Sequence, residues 1–450
     1  MEIANRNVHT ILHITPHLGG GVGSVLINYL RRVSNNPALS HEVISLEYAN
    51  DKAIQASKII GFHLADKMSY NHQGILSAIS EADIVLFHWW NHPLLNAFLV
   101  REALPPSRVI FWSHILGFHP PYVFTEPALN YPDIFVFASP LSHETPEVKK
   151  LSDERKEKLR HIWSTGGVEY TASVPHMSHE GFKIGYIGTV DYGKMHPHFL
   201  KMCGRVRIPD SQFIVCGGPS ETQIQEEANR CGIGDRFLFT GKTDDIRCYL
   251  AEFDIFGYPL APYHYGTCEQ VLGESMAAGI PPVVMANLTE SYIVKDGVTG
   301  IVAENEDSYV RALESLYANS KLRKSLSIQA RKDALQLFSL DRMISKWEKI
   351  FEEIMFIPKS ERRWQGTHRG RNISPANIFV ESLGEYGGEF SHFLNANNEK
   401  DKKKSIAAIT RLLESSHLWR ASTRGTPRHY HYFFPEDKDL RNWIDLYTTD

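Results

Sequence analysis

The sequence lacks several features that mark secreted, membrane-spanning and nucleic-acid-binding proteins. Only five of its 450 residues are cysteines, and none form a CxxC pair, which favours reduced thiols over disulfides or a zinc site. The net charge is −4 and no basic stripe occurs, so we expect no nucleic-acid partner. No apolar run approaches the roughly 20 residues that cross a bilayer.

The amino-terminal segment also lacks the pattern of a targeting signal. MEIANRNV is polar and lacks the apolar core of a signal peptide. Without a signal peptide or a transmembrane segment, the sequence predicts a soluble, cytoplasmic protein. Contact with a membrane would then be peripheral, at its inner face.

What the sequence contains is a repeated order of elements. The apolar run from Val8 to Thr15 leads through PHLGGGVGS into the helical pattern VLINYLRRV. The run from Phe182 to Gly188 leads in the same way through TVDYGK into HPHFLKMC. Each stretch predicts a strand, a glycine-bearing loop and a helix. A chain of 450 residues with 42% hydrophobic residues can fill two or three cores, so two large domains are expected.

Short apolar runs separated by amphipathic helices continue after both openings. Such runs are typical of parallel sheets, and right-handed crossovers then make each sheet doubly wound. We therefore predict an α/β protein with two Rossmann-like domains and a small carboxy-terminal lobe. The predicted segments are a first domain at 1–170, a second domain at 171–338, a helix at 339–356 and an accessory extension at 357–450.

The first glycine loop predicts an anion site. Glycines at positions 19, 20, 21 and 23 let the backbone approach an anion, which the following helix amino terminus also favours. The dinucleotide pattern GxGxxG fails, because Gly21 and Gly23 are followed by Leu26, although Glu47 ends the next strand where a ribose-binding acid could sit. A structural turn without a ligand is the alternative interpretation.

The stretch GTCEQVLGESMAAGIPPVV, residues 266–284, predicts a helix with two glutamates. Thr267 with Gln270 has the spacing of a capping box, and Gly279 followed by two prolines ends the helix. Glu269 then falls in the first turn, and Glu274 lies one turn further along. Five positions correspond to roughly 140° of rotation, so the two side chains should contact different parts of a ligand.

Taken in order, these motifs resemble a known family. HLGGGVGS, IGTVDYGK, VCGGP with RFLFTGKTDD, the helix with ESMAAGIP, and KDGVTGIV resemble the group 1 (glycogen-synthase-like, retaining) glycosyltransferases, also called family 4. The resemblance covers roughly residues 8–355. It implies two Rossmann-like domains facing across a cleft, a nucleotide-diphosphate sugar on the second, an acceptor mainly on the first, and a final helix that returns to the first domain.

The resemblance assigns roles to particular positions. The family's phosphate-binding arginine and lysine fall on Thr189 and Lys194, so only the lysine is kept to stabilise the departing diphosphate. Of the family's paired glutamates, the second matches Glu274, which would bind the ribose hydroxyls, and the first falls on Gly266. Glu269 is the candidate for the missing sugar-facing carboxylate; its alternative role is a helix-end acid. The alternative for Lys194 is a solvated loop lysine.

Further positions follow from the same resemblance. His114 matches the histidine near the transferred sugar, and the backbone at Gly241 and Lys242 resembles the nucleobase-binding turn. The predicted catalytic residues are His114, Lys194 and Glu269, and the predicted donor-binding residues are Gly20, Gly21, Thr189, Lys194, Gly241, Lys242, Val271, Leu272 and Glu274. Paired histidines at 13/17 and 88/92 each span a strand-to-loop junction, so no metal is predicted. For His88, a satisfied strand-end histidine is the preferred interpretation.

The predicted function is that of a retaining, metal-independent glycosyltransferase in glycan or polysaccharide biosynthesis. Its donor would be a nucleotide-diphosphate sugar, with no cofactor, and its acceptor a glycan, a lipid-linked molecule or a protein. A sugar-nucleotide epimerase of the same architecture is one alternative. A degenerate fold that serves as an interaction module is another, favoured by the losses at Thr189 and Gly266 and by the aromatic extension. An oxidoreductase is weakened by the broken glycine fingerprint.

Overall fold

The computed structural model describes residues 8–243 and 245–446, so the polar amino-terminal segment lies outside the described residues. They form two compact units. The amino-terminal unit contains the described residues up to Ser164 and those from Ile344 onward, and the central unit is Thr165–Met343. The boundary at Ser164 falls inside the stretch HIWSTGGVE that joins the two predicted sheets.

The amino-terminal unit is built on a seven-stranded parallel sheet with the order β10-β9-β6-β4-β1-β2-β3. The first ten strands are β1 His9–Leu18, β2 Leu39–Ala49, β3 His63–Ala65, β4 Ile84–Trp89, β5 Leu104–Ser107, β6 Val109–Ser113, β7 Phe118–His119, β8 Tyr122–Val123, β9 Ile134–Phe137 and β10 Leu159–His161. Every residue of β4 is buried, as expected for a central strand covered on both faces by helices.

Helices pack against this sheet, and their apolar residues complete its core. They are α1 Gly20–Val33, α2 Asp51–Ile60, α3 His72–Glu81, α4 Pro93–Arg101, α5 Glu126–Asn130, α6 Pro146–Lys149 and α7 Asp153–Lys156. Helix α1 buries Val25, Leu26, Tyr29 and Leu30 at helical spacing. It begins at Gly20, so Gly20 and Gly21 form its first turn and not the loop that the sequence predicts.

The central unit repeats the architecture with a six-stranded parallel sheet, ordered β13-β12-β11-β14-β15-β16. Its strands are β11 Phe182–Ile187, β12 Ser211–Cys216, β13 Phe237–Gly241, β14 Ile255–Tyr258, β15 Pro282–Met285 and β16 Ile301–Ala303. Its helices are α8 Glu169–Ala172, α9 Phe199–Arg205, α10 Glu221–Arg230, α11 Arg247–Leu250, α12 Gln270–Ala277, α13 Leu288–Ile293, α14 Glu306–Ala318 and α15 Ser320–Leu337. The two predicted parallel sheets are confirmed.

A long helix, α16 Leu340–Met355, begins in the central unit, and its residues from Ile344 belong to the amino-terminal unit. The extension after it contains β17 Ser360–Arg362, α17 Pro375–Leu383, α18 Gly388–Leu394, α19 Glu399–Ser415, α20 Pro427–Phe433 and α21 Lys438–Asp445. Short 3-10 helices complete the chain at Met68–Tyr70, Pro140–Glu144, Gly234–Arg236, Gly384–Gly387 and His417–Arg420.

The extension packs into the amino-terminal unit and does not form a separate third compact unit. Strand β17 pairs antiparallel with β5. The buried Asn96 amide on α4 donates to the Tyr430 hydroxyl at 2.9 Å, and the Asn91 amide donates to the Ser382 carbonyl at 3.1 Å. The aromatic residues of the extension therefore add to an existing core. No helix in the described part of the chain has the length and hydropathy needed to cross a membrane.

Candidate active site

The central sheet has its topological switch point between β11 and β14, where the strand order reverses. In open parallel sheets, ligands bind at the carboxyl ends of the strands beside this point. Lys194 follows β11 and Glu269 follows β14, and the structure brings them together: Lys194 Nζ lies 3.0 Å from Glu269 Oε2. Lys194 lies in the turn after β11, where its backbone N–H donates to Asp191 Oδ1 at 3.0 Å.

The Lys194–Glu269 pair is buried. The Glu269 side chain is 1% exposed and the Lys194 side chain 13%. The Tyr258 hydroxyl also donates to Glu269 Oε2, at 2.5 Å. Burial raises the pKa of the Glu269 carboxyl, but the charges of Lys194 and His264 and the two hydrogen bonds outweigh it and leave that pKa below its usual value. Glu269 is therefore an ionised carboxylate at neutral pH, held by a cation.

Glu269 occupies a strained position that the sequence did not reveal. It precedes α12 with φ of 40°, in the left-handed region that side chains other than glycine rarely adopt. The predicted capping box is wrong: α12 begins at Gln270, so Thr267 is too early to cap it, and Glu269 takes the cap position without a capping hydrogen bond from its side chain. Gly279, with φ of 80°, follows the end of the helix as predicted.

The glycine at 266 explains where the Glu269 carboxylate sits. A Cβ atom built on Gly266 would stand 1.5 Å from Glu269 Oε1. The carboxylate therefore fills the space that a side chain at position 266 would enter. Glu269 Oε1 is buried and has no hydrogen-bond partner among the described residues. An unpaired buried carboxylate oxygen is costly unless a ligand donates to it.

His264 lies next to this carboxylate, and the partners of its two ring nitrogens determine its tautomer. Its Nδ1 accepts the Gly266 backbone N–H at 2.9 Å, so its Nε2 carries the proton that faces Glu290, 3.1 Å away. Burial opposes a charge on this ring, but Glu290 and Glu269 raise the pKa of His264 overall. His264, Glu269 and Glu290 lie close enough together to hold a metal ion. However, neither ring nitrogen offers a free lone pair, and Lys194 already supplies a cation.

Thr189 stands where the resemblance places an arginine. Its hydroxyl accepts a hydrogen bond from the Tyr265 hydroxyl at 3.1 Å, and its carbonyl accepts one from the Tyr186 hydroxyl at 2.8 Å. The Lys194 ammonium lies 5.8 Å from the centre of the Tyr265 ring and 5.8 Å from that of Tyr258. Two tyrosine rings thus lie near the Lys194 ammonium, and Lys194 carries the positive charge of this part of the site.

Glu274 lies on α12 and is also buried. Its Oε1 accepts hydrogen bonds from the Tyr170 hydroxyl at 2.6 Å and from Gln270 Nε2 at 2.8 Å. Burial raises the pKa of this carboxyl, and the two hydrogen bonds only partly offset the effect. Glu269 and Glu274 therefore contact different groups of the protein, and their contact with different parts of a ligand stays a prediction.

The remaining predicted donor-binding positions are spread over the ends of the sheet. Leu272 is buried and its backbone N–H donates to the Glu269 carbonyl at 2.8 Å, whereas Val271 is half-buried. Gly241 ends β13 with φ of 69°, and Lys242 follows it. The N–H of Leu272 is thus bonded within the protein, and the role of Val271 and Leu272 in donor binding stays a prediction.

Comparison with known proteins bears directly on the central unit. Residues 174–333 match the family model for group 1 glycosyl transferases. Residues 174–333 are a group 1 glycosyltransferase domain. Over 160 residues, the chain is 26% identical to the 2-deoxystreptamine N-acetyl-D-glucosaminyltransferase of Niallia circulans, a match that covers 34% of this chain and 40% of that protein. Over 136 residues, it is 27% identical to the lipopolysaccharide core biosynthesis glycosyltransferase LpsE of Rhizobium meliloti, covering 30% and 39%. The matches thus span about two fifths of these curated relatives.

Solved structures match both units. HepE of Anabaena, crystallised with UDP-glucose, has a TM-score of 0.62 at 14% identity and covers 76% of this chain and 99% of its own. A glycosyltransferase from Rickettsia africae has a TM-score of 0.62 at 14% identity, covering 78% and 99%. At these identities the likeness shows the fold. The chain has the fold of the glycosyltransferases with two Rossmann-like domains.

Outside the glycosyltransferase domain, the predicted site residue His114 follows β6 in the amino-terminal unit. Its Nε2 lies 3.2 Å from His88 Nδ1, and its Nδ1 lies 3.3 Å from the Ser164 hydroxyl. Burial lowers the pKa of His114 to about 3. His114 is therefore neutral at pH 7 and is not poised as a general acid. His88 is fully buried and hydrogen-bonded, which agrees with the preferred interpretation of it as a satisfied strand-end histidine.

Sequence reasoning missed a second cluster, at the switch point of the amino-terminal sheet between β1 and β4. His17 on β1, Glu47 on β2 and His92 after β4 bring their ligand atoms within 4.8 Å of one another. His92 Nδ1 accepts the Leu94 backbone N–H at 3.3 Å, so its Nε2 carries the proton. That Nε2 lies 3.3 Å from Glu47 Oε2 but makes no hydrogen bond among the described residues, and a protonated nitrogen does not coordinate a metal. The three residues meet only because β4, β1 and β2 are neighbours in the sheet, and the sequence does not show that strand order.

Proposed function

We propose that this protein is a retaining glycosyltransferase that moves a sugar from a nucleotide-diphosphate sugar to an acceptor hydroxyl without a catalytic metal. The observation that carries the proposal is the buried pair of Lys194 and Glu269 at the switch point of the glycosyltransferase domain, with Glu274 on the helix that follows. Burying an ion pair costs folding free energy that apolar residues would not. A functional site is a reason to retain it.

Lys194 is the cation for the departing diphosphate. As the glycosidic bond breaks, negative charge grows on the phosphate oxygens, and a fixed positive charge in a site of low dielectric stabilises that charge most. Thr189 and Tyr265 offer hydroxyl groups near Lys194 but no charge. Glu269 holds the ammonium in place through its Oε2 atom.

Glu269 supplies the carboxylate that the family carries at the position of Gly266. Its Oε1 atom stands where the side chain of residue 266 would begin, and it has no hydrogen-bond partner in the described structure. We assign this oxygen to a hydroxyl of the transferred sugar. The left-handed backbone at Glu269 is the conformational cost of delivering the carboxylate from three residues downstream, on the order of 1–3 kcal/mol.

Glu274 binds the ribose of the donor in this proposal. Both of its hydrogen bonds, from Tyr170 and Gln270, end on Oε1. We assign Oε2 to the ribose hydroxyls. The acceptor, which is a glycan, a lipid-linked molecule or a protein, binds mainly on the amino-terminal unit. The relatives from Niallia and Rhizobium are named for 2-deoxystreptamine and for lipopolysaccharide core biosynthesis.

Replacing Glu274 with glutamine is expected to weaken binding of the free nucleoside diphosphate. The amide keeps one acceptor oxygen and loses the charge, and charged hydrogen bonds contribute about 1.5–3 kcal/mol. Calorimetric titration measures the change. Glu306→Gln is the matched control. Glu306 begins α14 in the same unit, but its carboxylate bonds to His198 and not to the groups around Glu274. An affinity of Glu274→Gln equal to wild type would remove Glu274 from the ribose site.

A thermal-shift screen with UDP, GDP, ADP and their common sugars tests the proposal as a whole. A ligand at 100 times its dissociation constant adds about 2.7 kcal/mol to the free energy of unfolding. We expect one nucleotide to raise the melting temperature, and its sugar conjugate to do the same. If none of these ligands shifts the transition, the chain is better explained as an interaction module with a degenerate fold.

A further inference from the structure

Four histidines of the amino-terminal unit lie on, or directly after, four neighbouring strands of one sheet. His41 is on β2, His13 on β1, His88 on β4, and His114 directly follows β6. The sheet order places these strands side by side as β6-β4-β1-β2. We call this set the histidine row. It runs obliquely across the sheet, from near the amino end of β2 to the carboxyl end of β6.

The rings of the histidine row form one continuous chain of hydrogen bonds. His41 Nδ1 lies 3.0 Å from His13 Nε2, His13 Nδ1 lies 3.2 Å from His88 Nε2, and His88 Nδ1 lies 3.2 Å from His114 Nε2. His114 Nδ1 ends the chain 3.3 Å from the Ser164 hydroxyl. Every link between rings joins the Nδ1 atom of one ring to the Nε2 atom of the next.

This geometry restricts where the protons sit. Burial is the main reason that the pKa values of all four rings lie below the usual value: it lowers that of His41 to about 4 and that of His114 to about 3. Burial also lowers the pKa values of His13 and His88, and the neighbouring rings add to the lowering. A neutral imidazole has one donor and one acceptor nitrogen. The row therefore has two complete arrangements, with every proton on Nδ1 or every proton on Nε2.

The two ends of the row decide between these arrangements. His41 Nε2 is buried without a hydrogen-bond partner among the described residues. Protons on Nε2 would leave an orphaned buried N–H there, whereas protons on Nδ1 leave a bare acceptor; orphaned N–H groups are the rarer of the two in proteins. The Ser164 hydroxyl at the other end can donate or accept. The arrangement with all protons on Nδ1 is therefore favoured.

We propose that the histidine row is a tautomer relay in which His41, His13 and His88 are positioning residues that make His114 a hydrogen-bond donor through Nδ1. His114 then presents an N–H to the Ser164 oxygen, or to a ligand oxygen that replaces it. Through the relay, a change of hydrogen-bonding partner at His41 alters the tautomer of His114, three hydrogen bonds away. The link to sugar binding rests on the proposed function, whereas the relay itself does not.

Nitrogen NMR of the full chain labelled with 15N-histidine tests the relay without any substrate. In the wild type we expect a protonated, pyrrole-type Nδ1 and a bare, pyridine-type Nε2 at all four positions of the row. The variant His72→Gln is the control. His72 bonds to Glu102 outside the row, so its replacement should leave the signals of the four row histidines unchanged. Opposite tautomers at His13 and His114 in the wild type would overturn the proposal.

The matched pair His41→Asn and His41→Asp tests transmission along the row. An asparagine can donate to His13 Nε2 and should leave His114 protonated on Nδ1. An aspartate only accepts when ionised, so His13 must donate through Nε2, and the proton of His114 should move to Nε2. An unchanged His114 tautomer in a folded His41→Asp variant would refute the relay; if that variant does not fold, the wild-type spectrum still decides.

A kinetic readout joins the relay to the proposed function. With the donor selected by thermal shift, we expect His41→Asp to raise KM for the donor about tenfold relative to His41→Asn, the equivalent of one lost hydrogen bond, with kcat little changed. Equal KM values alongside a reversed His114 tautomer would refute a role of His114 in donor binding and leave the relay standing. Absence of any transferase turnover in the wild type would instead count against the proposed function.

Discussion

Replacing Lys194 with methionine is expected to lower turnover about 10²- to 10³-fold, because the departing diphosphate loses its fixed positive charge. The variant should also be less stable by about 3–5 kcal/mol, since the buried Glu269 carboxylate is left without its cation. Steady-state kinetics and denaturant unfolding measure the two effects. Methionine keeps much of the length of the lysine stem, so packing against Tyr258 and Tyr265 is largely retained.

The double variant Lys194→Met with Glu269→Gln separates stability from chemistry. It removes both charges of the buried pair, so most of the lost stability should return, because no unpaired charge remains. Turnover should stay low, because the cation for the leaving group is still missing. If turnover recovers together with stability, the role of Lys194 is structural and it does not stabilise the leaving group.

Adding a single methyl group at position 266 is expected to have an effect as large as removing the Glu269 carboxylate. The Cβ of Gly266→Ala would stand 1.5 Å from Glu269 Oε1, so the carboxylate must leave its place. We expect transfer to fall about 10- to 150-fold, the equivalent of one charged hydrogen bond to the sugar of about 1.5–3 kcal/mol. Kinetics of Gly266→Ala and Glu269→Ala should then agree.

Paired titrations assign the ligand that Glu269 contacts. In Glu269→Ala the affinity for the free nucleoside diphosphate should be unchanged or higher, because a negative charge near the phosphates is gone, while the donor binds more weakly. Parallel losses for both ligands would assign Glu269 to the nucleotide. Undiminished transfer with a stability loss of a few tenths of a kcal/mol would make it a helix-end acid.

Moving the glutamate back gives the complementary test. The double variant Gly266→Glu with Glu269→Gly places a carboxylate at the family's position and relieves the left-handed backbone at 269, since glycine adopts that region without cost. We expect it to transfer sugar faster than either single variant. No gain over Glu269→Gly alone would contradict the idea that Glu269 replaces the family glutamate.

Much of this fold was predictable from sequence, because each sheet has its own periodic signal. Apolar runs such as ADIVLFHWW and QFIVCGG gave β4 and β12, and the glycine after each opening strand marked a turn or a helix start. The start of α12 was predicted wrongly. Capping-box spacing at Thr267 and Gln270 is a local signal, and the tertiary contacts of Glu269 with Lys194 and Tyr258 outweigh it.

Contacts that depend on strand order could not be predicted. Lys194 and Glu269 are far apart in sequence and meet only because β11 and β14 are neighbours at the switch point. The histidine row likewise requires the order β6-β4-β1-β2, whereas spacing within one strand suggested only isolated residues. Packing of the extension through Tyr430 and β17 also had no local signal.

The central claim is retaining transfer from a nucleotide-diphosphate sugar, and proton NMR of the donor during turnover tests it most directly. With the donor that the thermal-shift screen selects, and with water or a simple sugar as acceptor, we expect nucleoside diphosphate to be released. The first product should have the anomeric configuration of the donor. A first product of inverted configuration, an epimerised sugar still attached to the nucleotide, or a donor that stays intact would contradict the claim.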